Sequence, residues 1–267
     1  MNNLHRELAP ISAAAWAQIE EEASRTLKRH LGARRVVDVP EPQGYACSAI
    51  NTGHVQRLES PGMGVQAVQR RVLSLVELRV PFTLTREAID DVERGAQDSD
   101  WDPVKEAAKT IAFAEDRAVF HGYAQAGIQG IGPGSSNPSL ALPAEPGGYP
   151  EVIAAALNEL RLAGVNGPYA VVLGTAAFEA VSGGSEDGYP VYRHIERMIE
   201  SKVIWAPAIE GGFVLSTRGG DFELDIGQDY SIGYTSHTAD SVALYIQESF
   251  TFQLLTAEAA VLLTPPA

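Results

Sequence analysis

Apolar side chains at Trp16, Ile19, Ala23, Leu27 and Leu31 recur at spacings of three and four, one stripe along a helix predicted from Ser12 to about Leu31. Ser12 is placed to cap it, and Ile11 to staple against Trp16. Glu20, Glu21 and Glu22 precede Arg25, Lys28 and Arg29 on the opposite face, the order the helix dipole favours. The pattern then changes. Two strand-like pieces, His54–Leu58 and Val65–Arg71, flank the turn Ser60-Pro61-Gly62-Met63-Gly64. They hold too few large apolar residues to build a core, so this hairpin is expected to rest on something outside itself. From Ser74 to Leu84 the alternation is clean, and Pro81 places that strand at an edge or a bulge. A short helix follows between Thr85 and Gly95. A longer one, with Asp102 as cap and Pro103 at its first position, runs to about Tyr123 and spans about 30 Å.

Residues 127–150 are rich in Gly, Pro and Ser and mark the best domain boundary. Beyond them helix and strand alternate: helix Pro150–Ala163, strand Tyr169–Leu173, a helix from Thr175, the loop 182–190, a helix from Pro190 to about Glu200, then strands Val203–Ala206 and Phe213–Ser216. Phe222, Leu224 and Ile226 alternate with acids. The last pattern is unusually long. Val242, Leu244, Ile246, Phe250, Phe252 and Leu254 share a face over a run of about 43 Å, roughly twice a typical strand, which would interlock the two halves.

Composition narrows the function. The 267 residues carry 34 acids against 20 bases, a formal net charge of −14, which phosphate backbones and anionic lipid repel. No nucleic-acid or membrane partner is expected. Cys47 is the single cysteine, so an internal disulfide and a C-x-x-C site are excluded. No apolar run reaches 18 residues and the amino terminus lacks a signal-peptide core; a soluble, cytoplasmic protein is expected.

Candidate chemistry is sparse. None of the six histidines stands three or four residues from another, so a metal site lacks support. Gly132–Ser136 has its serines in the wrong place for a nucleophile elbow. Glu115 and Asp116 on the long helix point about 100° apart and do not converge on one substrate. Cys47 has no convincing histidine partner. An acidic, two-part α+β chain without visible catalytic groups points to architecture or binding.

Eight segments in order resemble the encapsulins, the family once grouped with linocin-type bacteriocins, in their actinobacterial, mycobacterial-like form. These are NNLHRELAPI at 2–11, ARRVVDVPEPQG at 33–44, DDVERG at 90–95, AEDRAVF at 114–120, NGPYAVVLG at 166–174, SEDGYP at 185–190, STRGGDFELDIGQDYSIGY at 216–234 and QESFTF at 247–252. The resemblance implies the HK97 phage-capsid-like fold. P-domain parts would lie at 1–48, 80–135 (with the spine helix) and 222–250, an extended E-loop at 49–79, and the A-domain at 136–221 with 251–267. It implies self-assembly into an icosahedral shell, a T=1 homo-oligomer of about 60 copies. Such shells load a cargo enzyme, a dye-decolorizing peroxidase or a ferritin-like protein, through its carboxyl-terminal targeting peptide. By the same resemblance Leu27, Leu31, Arg34 and Asp38 would form one side of the peptide groove, and Asp229, Tyr230 and Ile232 the other. Gly184, Ser185, Glu186, Asp187, Gly188 and Tyr189 would line a five-fold pore. The aromatic residue that some encapsulins place after the FTL strand is missing from Thr85-Arg86-Glu87, so neither flavin nor another cofactor is expected. Two other readings attach to the same fold and family: a peptidase or bacteriocin-type activity, and a phage major capsid protein.

Overall fold

The computed structural model describes residues 3–186 and 188–266. The amphipathic stripe forms helix α1, Ala13–His30, and the Ser12 hydroxyl accepts the Ala15 amide as an N-cap. The hairpin is antiparallel, β1 (Ala49–Leu58) on β2 (Ala67–Ser74), with a register shift between Asn51 and Val55. Beyond Ile50, buried at its base, it leans on no core: Val55 and Val68 are each 57% exposed. Strand β3 (Val76–Thr85) leads into α2 (Arg86–Glu93), which Thr85 caps through the Ala88 amide. Helix α3 spans Asp102–His121, with Trp101 rather than Asp102 at the cap position. The Asp100 carboxylate accepts the Asp102 amide and satisfies that end instead. The helix ends at His121, short of the Tyr123 that its periodicity suggests. Gly122 takes φ +87, and a Cβ there would stand 2.5 Å from the Gln129 carbonyl oxygen.

The Gly/Pro-rich boundary is more structured than its composition implies. It holds a helical turn, α4 (Ile131–Gly134), and a two-residue strand, β4 (Leu140–Ala141), because Ile131 and Leu142 are buried anchors within it. Next come α5 (Tyr149–Leu162), β5 (Tyr169–Leu173), α6 (Thr175–Gly183), β6 (Ser185–Glu186), β7 (Tyr189–Pro190), α7 (Val191–Ile199), β8 (Ile204–Trp205) and β9 (Gly212–Ser216). The segment expected as a plain loop is thus a small hairpin, β6 against β7. The chain closes with β10 (Phe222–Ile226), β11 (Ser231–His237), β12 (Ser241–Leu254) and β13 (Ala260–Thr264).

Two sheets organise the molecule. One runs β4-β13-β9-β5-β8, with α5, α6 and α7 packed on it around Val171, Val172, Phe213 and Val214. The other is built on β12. Along one edge of β12 lies β3, antiparallel from Ser241 to Phe250. Its other edge is shared end to end by β11, opposite Val242–Gln247, and β10, opposite Phe250–Leu254. Pro81, opposite Tyr245, therefore sits on an edge strand, where its missing N–H disrupts no ladder. Helices α1, α2 and α3 cover this sheet through Ile19, Ile89, Val104 and Ile111.

Strand β12 serves two cores. Val242, Leu244 and Ile246 pack under α1–α3, while Phe250 and Phe252 belong to the core of the other sheet. The position between them on the same face is Glu248, wholly buried at the seam.

Candidate functional site

A cavity of about 600 Å³ lies between α1 and β11. Its position follows from the helix pattern. Ala23, Leu27 and Leu31 are the outer members of the α1 stripe, and they face Ile232 of β11 and Ile246 of β12 across an open trough. Leu27 and Leu31 are 8% and 7% exposed, so each both anchors the helix to the core and presents an edge to the trough. Leu4 closes one end, held there because its carbonyl accepts the Tyr234 amide of β11. Arg6 also lines the cavity, paired with Glu20 and lying over the Trp16 ring at 4.1 Å.

The trough floor is charged. Arg34 follows α1 by one short turn, and that turn is fixed from α3: the Asp116 carboxylate accepts the amides of Gly32 at 2.8 Å and Ala33 at 2.9 Å. Arg34 then donates from Nε and Nη2 to Glu115, at 2.9 and 2.6 Å. It also donates from Nη1 to Asp229 at 2.9 Å, and from Nη2 to Glu248 at 3.3 Å. Its guanidinium lies 4.5 Å from the centre of the Tyr230 ring. Two planar contacts, a carboxylate fork and an aromatic face, fix the side chain in a way lysine cannot reproduce.

Burial governs the protonation of this cluster. Glu248 is held well above the ordinary carboxyl range, by desolvation first and then by the neighbouring Glu115, with Arg34 opposing. Desolvation likewise raises the Tyr230 hydroxyl. Asp116 is pushed up to about 7 by burial, against the pull of its two amide partners. Among the described residues, the Tyr230 hydroxyl and the second oxygen of Glu248 have no hydrogen-bond partner.

The structure thus brings together Leu27, Leu31, Arg34, Asp229, Tyr230 and Ile232 on one trough. Asp38 is the exception and is not among the trough residues. Its backbone bridges to β10, with its amide bonded to the Phe222 carbonyl, and its carboxylate accepts the Gly220 amide at 2.6 Å. It lines a separate cavity of about 110 Å³ beside Ser216 and Thr217. The reason is the break after the short turn at 33–35, which sends the chain away from the trough toward β10.

Of the proposed pore residues, Ser185 and Glu186 pair with Pro190 and Tyr189 across the β6–β7 hairpin, and the Gly184 carbonyl accepts the Val191 amide. Gly188 turns the hairpin at φ +81. Tyr189 is part-exposed and stacks edge-on with His194. Asp187 lies outside the described residues.

Sequence reasoning passes over Glu115, Asp116 and Glu248 as parts of this site. The first two do diverge, as helix geometry requires, but each reaches a different residue of the same turn: Asp116 takes Gly32 and Ala33, and Glu115 takes Arg34. The signal for Glu248 is present, since a lone acid interrupts the apolar face of the longest strand. Among the described residues no His, Cys, Asp and Glu cluster is able to hold a metal ion. Cys47 is half-buried, its thiol facing Gln43 and the Ala49 carbonyl.

The folded chain resembles viral capsid subunits. A virus-like particle from Pyrococcus furiosus superposes with TM-score 0.65 at 13% identity, covering 92% of this chain and 98% of that one. The corresponding protein of Mycobacterium phage Bobi gives 0.58 at 14%, covering 100% and 94%. The fold is therefore of the HK97 capsid type. Sequence relatives narrow this to one lineage. The model of a family described as encapsulating protein for peroxidase matches residues 1–251. Type 1 encapsulin shell proteins are 61% identical in Mycolicibacterium paratuberculosis and 56% in Mycobacterium tuberculosis, each match covering 99% of this chain and 100% of the relative. The chain belongs to the encapsulin shell-protein family. No helix among the described residues is long and apolar enough to cross a membrane.

Proposed function

We propose that the chain is the repeating subunit of a closed, icosahedral compartment of about 60 copies, free in the cytoplasm, that encloses a peroxidase and does no chemistry itself. The segments 1–48, 80–135 and 222–250 act as its P-domain, 49–79 as the E-loop, and 136–221 with 251–267 as the A-domain. The β1–β2 hairpin supports this reading, because Val55, Leu58, Val68 and Val72 find no cover within the subunit and a neighbouring copy would supply it. The β6–β7 hairpin, Gly184 to Tyr189, is the segment we assign to the pore.

The cargo is held by a carboxyl-terminal peptide laid in the α1–β11 trough. The observation that carries this is the trough itself: apolar walls at Leu27, Leu31, Ile232 and Ile246 over a fixed cation at Arg34. Apolar anchors of an extended peptide would bury against the walls, and Asp229, half-exposed at the rim, would meet its amides. Asp38 takes no part in this contact and instead secures the chain to β10.

The test is co-expression with a dye-decolorizing peroxidase, with and without its carboxyl-terminal segment, followed by size-exclusion chromatography and negative-stain microscopy. Closed particles that contain only the full-length peroxidase are expected. Discrete small oligomers would overturn the shell assignment, and equal capture of the truncated peroxidase would overturn the trough.

A further inference from the structure

Arg34 is a single cation among three carboxylates, and two of these have no access to water. Glu115 and Glu248 are both 0% exposed, one on α3 and the other on β12. Glu115 receives the guanidinium fork, while Glu248 reaches Arg34 through one longer bond, so the two carboxylates share the same nitrogen, Nη2. Two adjacent buried carboxylates under one guanidinium leave an uncompensated charge in a low-dielectric seam, which is costly. A proton on Glu248 removes that cost and supplies the donor that two carboxylates lack. The groups facing Glu248 are Arg34 from the turn after α1, Glu115 from α3, and Asp229 and Tyr230 from the segment entering β11; Asp116, one residue on from Glu115, acts on Tyr230. On the side of β3 its partner in register is Leu78, which brings no charge.

We propose that Glu115 and Glu248 hold between them one negative charge and one proton, and that this half-neutralised pair is the positioning element that fixes Arg34 across Tyr230 on the trough floor. The proposal rests on the peptide-binding reading of the trough and names what controls it. Neither glutamate touches the peptide. Their role is to supply one charge, and either of them is able to carry it.

That requirement gives a signature which ordinary packing lacks. In Glu248→Gln the amide replaces the neutral acid and Glu115 keeps the charge. In Glu115→Gln the charge passes to Glu248, and its proton is released. In the double variant Arg34 has no buried counter-ion. The experiment uses assembled, empty shells and two readouts. Infrared spectroscopy at pH 7 detects the carbonyl stretch of a neutral carboxylic acid, and fluorescence anisotropy follows a labelled synthetic peptide matching the carboxyl-terminal end of the peroxidase. The neutral-acid band is expected in the wild-type shell and is expected to diminish in each single variant. Each single change is expected to weaken the peptide by no more than about threefold, and the double by at least about tenfold beyond the product of the two. If the double variant does not assemble, Glu115→Asp combined with Glu248→Gln replaces it; the one remaining charge then sits on a shorter carboxylate that withdraws from Arg34, and the pair is expected to cost at least about tenfold beyond the product of its single changes.

An absent band in the wild type, or single and double effects that simply multiply, overturns the proposal. A band that behaves as described beside a peptide that binds no form removes the trough reading instead, and with it the positioning role.

Discussion

Asp116, buried on α3, accepts the backbone N–H of Gly32 at 2.8 Å, and so ties the end of α1 to the spine of the molecule. The adjacent Ala33 amide enters the same carboxylate. An amide side chain in place of this carboxylate would turn an NH₂ group toward one of the two donors and leave it unsatisfied. Asp116→Asn is therefore expected to cost about 1–3 kcal/mol, read as a lower denaturant midpoint with an unchanged slope. A neutral result would show that the turn holds without this contact.

Gly32 itself has no room for a side chain. A Cβ there would stand 2.6 Å from the Cβ of Ala206 and 3.1 Å from the Asp116 carboxylate. Gly32→Ala is expected to lose about 1–3 kcal/mol from this overpacking and to shift Arg34 out of register with Glu115. Comparing the thermal midpoints of assembled shells would detect it.

Stability is expected to fall as pH rises. The Asp116 and Glu248 carboxyls both sit above their unfolded values, so the folded chain holds more protons than the unfolded one. Their contribution is fully favourable below about pH 4, where both states are protonated, and weakens as the unfolded chain alone gives up its protons. The Asp116 share is exhausted by about pH 7, and the Glu248 share declines as pH rises through that carboxyl's own raised value. Glu248→Gln is expected to flatten the alkaline part of the curve and to raise the thermal midpoint at pH 8. A wild-type midpoint that climbs from pH 5 to pH 8 would contradict this.

Leu31→Asp puts a carboxylate on the apolar wall of the trough, where the anchors of the proposed peptide would lie. Shells of this variant are expected to assemble and to load less than about a tenth of the wild-type peroxidase, a loss of at least roughly 1.4 kcal/mol. Haem absorbance per shell, after size-exclusion, gives the number. Unchanged loading would remove Leu31 from the peptide site.

Val55 and Val68 share one face of the β1–β2 hairpin, since Val55 opposes Arg70 and Arg57 opposes Val68. Charging both, as Val55→Asp with Val68→Asp, touches no core of the subunit. Circular dichroism is expected to stay native while particles disappear from light scattering. Full assembly of the double variant would mean that this face of the hairpin contacts no neighbour.

Much of this arrangement is legible in the chain alone, because it rests on local periodicity. The α1 stripe, the Tyr169–Leu173 strand and the overlong β12 follow from period alone, and each appears within a residue or two of its expected span. The trough residues come as a set through family resemblance, and six of the seven do meet there. Asp38 does not, because the break after residue 35 has no periodic signature and redirects the chain toward β10. The buried acids escape for a different reason. Glu115 and Asp116 look like a solvated pair on paper, and only tertiary contact brings residues 32–34 onto them. Asp102 reads as the cap because it precedes Pro103, yet Asp100 takes that role from two residues back.

Strand β12, with its side chains in both hydrophobic interiors, has a geometric consequence for the particle. A single stiff ribbon cannot bend sharply at mid-length while β3 pairs along most of one side and β10 and β11 divide the other. The dihedral between the halves is thereby fixed by contacts within one copy. In the closed shell proposed above, each copy would bring its own curvature, and the radius would follow from it.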